Sequence, residues 1–158
     1  MDKGISIIIP AYNEVGNLNR LIPHLKDSGH EKLEIIVVIP FECDETETLC
    51  SQYGVNCVRS KVASRAVQMN FGAKQAKYEV LYFVHADTLV PKTFAKDILK
   101  AISSGYSSGC YRFKFDRDAI PLMINSFFTR FRPQMFRGGD QSLFVKRDVF
   151  FGLGGYDE

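Results

Sequence analysis

Apolar and polar positions along this chain follow two rhythms. Unbroken apolar runs at Ile5–Pro10, Leu33–Ile39 and Val80–His85 are separated by stretches in which apolar residues recur every three or four positions. Unbroken runs rich in β-branched residues predict strands covered on both faces, as in a parallel sheet flanked by helices. Between them, Asn17 to about Lys26 sets Leu18, Leu21, Ile22 and Leu25 on one helical face. Asp44 to about Tyr53 predicts a short helix with Asp44 as its N-cap. Ser64 to about Ala76 predicts another, and Pro91 to about Ser103 a third, with Pro91 tolerated in the first turn. Asn56–Arg59 reads as a short strand, Gly109–Phe115 as a weakly alternating one and Ser142–Lys146 as a third. Ile120–Phe131 reads as an aromatic helix, and Asp148–Leu153 as a last helix before Gly154-Gly155. Strands alternating with helices predict βαβ units, hence one α/β domain with a mostly parallel central sheet.

Composition adds little to that picture and removes several alternatives. A chain of 158 residues is one domain with room for a proper core. Hydrophobic residues at 46% and charged residues at 24% fit an ordinary globular protein. A formal charge of +2 gives no argument for nucleic acid. Cys43, Cys50, Cys57 and Cys110 form neither a C-x-x-C pair nor a zinc spacing, so reduced thiols are expected. The opening apolar run is interrupted by Pro10 and Asn13-Glu14 and does not read as a signal peptide. No stretch approaches the roughly 20 apolar residues of a membrane-spanning helix. A cytoplasmic protein is expected, with peripheral contact at the inner membrane surface left open.

The candidate chemistry sits where two strands stop. Open α/β sheets bind ligands at the carboxyl ends of their strands. Two polar tips, Tyr12-Asn13-Glu14 and His85-Ala86-Asp87, are therefore expected side by side. A dinucleotide-binding turn would need G-x-G-x-x-G after the first strand, and only Gly16 is present. Pro10 instead stiffens the backbone, Tyr12 offers a ring for stacking, and Glu14 an acceptor for base or ribose hydroxyls. The plain alternative is a polar loop that caps the next helix. A carboxylate such as Asp87 suits Mg²⁺ or Mn²⁺, which take oxygen ligands and share one or two carboxylates with substrate phosphates. The plain alternatives are a turn aspartate and, for His85, a structural histidine.

The segment before the Asp87 strand strengthens the chemical reading. Arg65 and Gln68, three apart, share a helical face, and Asn70 lies off it. Arg65 can pair with a phosphate in bidentate fashion. Polar residues set among small ones suggest a helix pressed against something polar rather than a solvated face.

Together these motifs resemble glycosyltransferase family 2, whose members have the GT-A nucleotide-sugar-binding fold. The resemblance runs from Ile5 to Glu158. It rests on Ser6-Ile7-Ile8-Ile9-Pro10-Ala11-Tyr12-Asn13-Glu14, Glu34-Ile35-Ile36-Val37-Val38, His85-Ala86-Asp87 and Gly154-Gly155-Tyr156-Asp157-Glu158. The Arg65/Gln68-Met69-Asn70 helix, the His-Ala-Asp form and Gly139-Asp140-Gln141 resemble the radical-SAM/selenodomain-associated transferase subgroup. The resemblance implies that Pro10, Ala11, Tyr12 and Glu14 line the nucleotide pocket. It further implies that Asp87 matches the last Asp of the family's D-x-D motif, the ligand of metal and diphosphate. His85 replaces the first Asp, leaving fewer protein oxygens for a metal. The implied activity is inverting transfer of a sugar from a nucleotide diphosphate, with a carboxylate deprotonating the acceptor hydroxyl and Mg²⁺ or Mn²⁺ neutralising the leaving diphosphate.

Two departures stand out. The family's usual Asp-Asp-Gly-Ser-x-Asp after the second strand is Ile39-Pro40-Phe41-Glu42-Cys43-Asp44 here. Asp44 and Thr46 are kept, but the carboxylates that grip base or ribose are gone, with Glu42 as a substitute. The family also continues beyond Gly-Gly-x-Asp-Glu to a Glu-Asp pair that supplies the base, so the domain is expected to lack its C-terminal part. Asp140 is then the carboxylate nominated near the sugar. Phe127, Phe128, Phe131 and Phe136 beside Arg130, Arg132 and Arg137 suit either a membrane surface, as for a lipid-linked acceptor, or a core helix with solvated arginines. The rival class is a non-catalytic or regulatory nucleotide-binding module. A nucleotidyltransferase is disfavoured because no Gly-rich phosphate loop follows the first strand.

Overall fold

The computed structural model describes residues 4–40, 44–111 and 142–158. The nominated Asp140, the substitute Glu42 and the aromatic-basic segment 120–137 lie outside these residues. In chain order the elements are β1 (Ile5–Pro10), α1 (Val15–Lys26), β2 (Leu33–Pro40), α2 (Asp44–Tyr53), β3 (Asn56–Ser60), α3 (Arg65–Gln75), β4 (Val80–Phe83), α4 (Phe94–Ser103), β5 (Ser108–Cys110), β6 (Leu143–Lys146) and α5 (Arg147–Gly152).

The six strands form one sheet in the order β3-β2-β1-β4-β6-β5. β1 pairs in parallel with both β2 and β4, and β2 pairs in parallel with β3. β6 runs antiparallel to its neighbours β4 and β5. The expected α/β fold with a mostly parallel sheet is therefore present. Every residue of β1 is buried, so this strand is covered on both faces, as its unbroken apolar run predicts.

Alternate residues of β1 serve different layers. Ile5, Ile7 and Ile9 join Leu18, Leu21, Ile22 and Leu25 of α1, Leu49 of α2, and Phe94 and Ile98 of α4. Ile8 faces the other way, with Ile36, Val38, Leu81, Phe83, Met69 and Ala73 of α3, and Phe150 of α5. On this second face α3 lies close to the sheet because residue 72 is glycine. A Cβ there would stand 2.6 Å from Ile8 Cγ2 and 2.8 Å from Val38 Cγ2.

The sheet also holds a buried carboxylate that hydrophobic patterning does not reveal. Glu34 is 8% exposed. Its Oε2 accepts from Ser6 Oγ at 2.6 Å and from the Lys77 backbone N–H at 2.9 Å, and Tyr78 N–H donates to Ser6 Oγ at 3.1 Å. These bonds tie β1, β2 and the approach to β4 together at their N-terminal edge, where an unpaired carboxylate would be costly.

Several expected boundaries shift. β4 ends at Phe83 rather than His85, although Val84 N–H still donates to Ile8 O at 3.0 Å. α4 begins at Phe94 rather than Pro91, because Pro91 opens a turn in which Phe94 N–H bonds Pro91 O at 3.0 Å. α1 begins two residues earlier than the apolar stripe suggests, at Val15. Within the described residues β5 is Ser108–Cys110, and the rest of the predicted 109–115 strand lies outside them.

The close approach of α3 generates the first prediction. Gly72→Ala forces Ile8 or Val38 to give way and is expected to lower unfolding stability by about 1–3 kcal/mol, as overpacking does. Chemical denaturation monitored by circular dichroism measures it; an unchanged midpoint would mean α3 is free to shift outward.

Candidate functional site at the strand ends

The register that aligns β1 with β4 brings the two polar tips together. Ile8 is level with Phe83. Two residues further on lie Pro10 on one strand and His85 on the other, so Tyr12-Asn13-Glu14 and His85-Ala86-Asp87 leave the same edge of the sheet. Strand order turns in opposite directions from β1 and β4, which makes this the switch-point crevice where α/β folds take ligands. Prolines at the last positions of β1 and β2 end the ladders there, since proline cannot donate to a further strand.

At the β1 tip, Ala11 is buried and its N–H donates to Val38 O at 2.9 Å. Tyr12 is 54% exposed, so its ring is free to be covered by a flat ligand. Asn13 has φ +58°, a left-handed backbone that a bulky residue adopts only at a cost. Glu14 occupies the cap position of α1 but makes no capping bond with its side chain. Instead its Oε2 accepts from Asn17 Nδ2 at 2.6 Å, and Asn17 Oδ1 accepts from Arg20 Nη2 at 2.8 Å. The polar loop thus does sit at the cap of α1, with the Glu14 side chain turned to Asn17 rather than to a backbone N–H. A cleft of about 410 Å³ opens beside it, lined by Asn13, Glu14, Gly16, Asn17 and Arg20. Asn17 and Arg20 are not among the residues singled out by sequence, although spacings of three on a helix carry the signal.

At the β4 tip, Asp87 is exposed and His85 half-buried, with His85 engaged by another group of the fold. A turn follows, with Thr88 N–H on His85 O at 3.0 Å and Thr88 Oγ1 at 3.4 Å from Asp87 Oδ1. No group of three or more His, Cys, Asp or Glu side chains converges among the described residues. A single accessible carboxylate still fits Mg²⁺ or Mn²⁺, since such ions share their coordination with substrate phosphates and water.

Arg65 is the first residue of α3 and exposed, so guanidinium and helix N-terminus lie together at the edge where β3 ends. The other two polar residues of α3 do something different from what their sequence setting suggests. Gln68 is buried, and its Nε2 donates to Val38 O at 2.8 Å and Ala11 O at 3.2 Å. Asn70 is buried too, and its Nδ2 donates to Tyr156 O at 2.8 Å and Glu158 Oε1 at 2.9 Å, while Oδ1 accepts from Tyr156 N–H at 2.9 Å. Both amides are bonded to the scaffold, not turned outward to a ligand. The helix is pressed against something polar, as expected, but the polar partner is the chain's own backbone. Asp44 begins α2, and nothing of its side chain is described.

The C-terminal loop packs beside the β4 tip. The Tyr156 ring meets Phe83 edge-on at 5.1 Å and Phe150 at 5.5 Å. Burial pushes the pKa of the Tyr156 hydroxyl up to about 12. Two other clefts, one lined by Lys26, Glu34 and Asn56, the other by Lys77, Lys146 and Phe151, lie at the opposite edge of the sheet, away from these groups.

The elements thus make a mixed α/β domain with a polar crevice at the carboxyl edge of its sheet. The sequence profile of Glycosyl transferase family 2 matches residues 6–156, and the chain belongs to that family. Among solved structures it is similar to S. aureus TarS in complex with UDP-GlcNAc, at TM-score 0.79 and 20% identity over 98% of this chain and 48% of that one. It is also similar to a mannosyltransferase from Pyrobaculum calidifontis in complex with GDP-Man and Mn²⁺, at TM-score 0.73 and 19% identity over 99% and 48%. A third is glucosyl-3-phosphoglycerate synthase from Mycobacterium tuberculosis, in complex with Mn²⁺, UDP and glucosyl-3-phosphoglycerate, at 0.69 and 16% over 94% and 58%. The chain spans about half the length of these relatives. No curated protein sequence matches it.

Two predictions come from this geometry. Gln68→Leu strips a donor from two buried carbonyls and is expected to cost about 1–3 kcal/mol in denaturant unfolding. The second concerns alkali. Because the folded state holds the Tyr156 proton more tightly than the ordinary value of 10.0, this contribution is complete below that value. It is lost as pH rises towards about 12. Tyr156→Phe should therefore lose less stability than the parent across that window; identical slopes in pH-dependent melting would show the ring to be solvated.

Proposed function

We propose that this chain forms the donor-binding part of a glycosyltransferase that takes a sugar from a nucleotide diphosphate with Mg²⁺ or Mn²⁺. The observation that carries the reading is the juxtaposition of an exposed Tyr12 and an oriented Glu14 with Asp87 across adjacent parallel strands. Family membership and the nucleotide-sugar and Mn²⁺ complexes of the similar structures support it.

Each side chain then has a definite job. Tyr12 covers the base, with Pro10 and Ala11 forming the floor beneath it. Glu14, its Oε2 held by Asn17, accepts from a ribose hydroxyl through its other oxygen. Arg65, at the N-terminus of α3, pairs with a phosphate, where fork and helix dipole act in the same direction. Asp87 is the carboxylate that would hold the cation, and the smaller coordinating contribution of His85 leaves more positions to diphosphate and water. A bound cation would supply neutralisation of the charge that develops on the leaving diphosphate. Direct displacement with inversion follows from the family resemblance. Asp140 is the nominated base for the acceptor hydroxyl, and a lipid-linked acceptor, with peripheral membrane contact, suits the aromatic-basic segment 120–137. Among the described residues no helix is long and apolar enough to cross a membrane. Within the family, the Arg65, Gln68 and Asn70 pattern and His-Ala-Asp favour the radical-SAM/selenodomain-associated subgroup.

A module that binds the nucleotide without transferring sugar is the second reading. Its support is the span Ile39-Pro40-Phe41-Glu42-Cys43-Asp44, which lacks the paired carboxylates expected after β2.

Calorimetry with UDP and GDP, with and without Mn²⁺, tests the proposal. Asp87→Asn should abolish the Mn²⁺-dependent part of binding and leave the melting temperature unchanged. Equal Mn²⁺-dependent affinity in mutant and parent refutes the role of Asp87. Binding by the parent without transfer from any of a panel of nucleotide sugars favours the second reading.

A further inference from the structure

We propose that Asn70 is a positioning residue for the cation-binding strand end: it fixes the Gly154–Glu158 loop so that Tyr156 holds Phe83, and with it the turn that presents Asp87. The inference rests on the reading of Asp87 as the cation-holding carboxylate.

Three observations converge on it. First, Asn70 uses both ends of its amide on one loop, bonding Tyr156 through N–H and C=O and reaching Glu158 as well. At 7% exposure it is shielded from water, which would otherwise compete for those bonds. Second, the loop is shaped for this contact. Gly155 has φ +80°, and a Cβ there would stand 2.7 Å from Asn70 Oδ1, so only glycine both adopts the backbone and admits the amide. Third, the loop delivers its ring to the right strand. Tyr156 meets Phe83 edge-on, and Phe83 is the last residue of β4, four positions before Asp87.

The helix that carries Asn70 cannot drift. Gly72 seats it against Ile8 and Val38, and Gln68 bonds the backbone at the ends of β1 and β2. One rigid helix therefore sets the nucleotide-facing tip through Gln68 and the diphosphate-facing tip through Asn70. Outer partners that orient a metal-bearing carboxylate typically contribute about 10–100-fold to metal affinity.

Asn70→Asp tests the assignment in the intact chain. The change keeps shape and the acceptor for Tyr156 N–H, but sets a carboxylate against Tyr156 O and Glu158. The expected result is a loss of about tenfold or more in Mn²⁺-dependent UDP or GDP affinity, with the cation-free affinity essentially unchanged. Adding Glu158→Gln supplies an amide donor to the new carboxylate and should restore most of the loss. If Asn70→Asp fails to fold, Gly155→Ala displaces the same loop from the other side and should show the same cation-selective loss. Unaltered Mn²⁺-dependent affinity in a folded Asn70→Asp or Gly155→Ala chain overturns the positioning role while leaving the donor-site reading intact. Equal loss with and without Mn²⁺ also overturns it, since a general tether would act on both. A parent chain whose nucleotide binding is indifferent to Mn²⁺ overturns the reading of Asp87 and this inference together.

Discussion

The geometry of the polar edge depends on β1 being paired on both sides and buried on both faces. A strand so enclosed has no freedom to slip, because a one-residue shift would turn Ile7 and Ile9 towards α3 and Ile8 towards α1. Its parallel neighbours β2 and β4 inherit that register, and every tip at the carboxyl edge is placed by it. The buried Ser6–Glu34 pair sets the same register from the opposite end with a polar bond. Such a carboxylate is costly to desolvate and is tolerated because backbone and hydroxyl donors meet it. A slipped sheet would leave it unsatisfied, so the group that weakens the core in isolation also penalises the wrong alignment.

Much of this fold is legible in the sequence because hydrophobic burial drives it and leaves a periodic trace. Ile5–Pro10 and Leu33–Ile39 are apolar almost throughout, and only a strand covered on both faces explains that. The tips are legible too, since runs of this kind ending in Tyr12-Asn13-Glu14 and His85-Ala86-Asp87 mark the carboxyl edge. What stays hidden are the partners of polar residues. Gln68 and Asn70 look alike in sequence to residues that would meet a ligand. Their targets, Ala11, Val38 and Tyr156, lie far away along the chain and are met through backbone atoms, which carry no sequence signal. Glu34 sits within a run read as a buried strand, and what the sequence leaves unsaid is how its carboxylate is met, by Ser6 and the Lys77 amide. Boundaries shift where proline has two uses: Pro91 begins a turn, not the helix that follows.

Family membership and the strand-end chemistry bear on different questions. The first fixes the architecture, and structures that share about a fifth of their residues with this chain retain it. The second depends on a few side chains, of which Glu14 is the best oriented through Asn17 and Arg20. Against the pattern that the family resemblance implies, His85 and the span from Ile39 to Asp44 carry fewer carboxylates. Under the proposed reading, recognition of a nucleotide diphosphate would lean on stacking at Tyr12 and charge pairing at Arg65.

The alternation of β1 between two layers has a consequence for how the protein can change. Ile7 and Ile9 belong to the layer of α1 and α4, whereas Ile8 meets Gly72 and so α3, the helix that carries Gln68 and Asn70. Loosening at the first two positions is absorbed as lost stability. Loosening at Ile8 costs stability too, and also reaches α3, whose Gln68 bonds Ala11 and Val38 at the carboxyl edge. A single strand thus answers to two layers through residues one apart, so a change at one position is felt first by a different helix from a change at its neighbour.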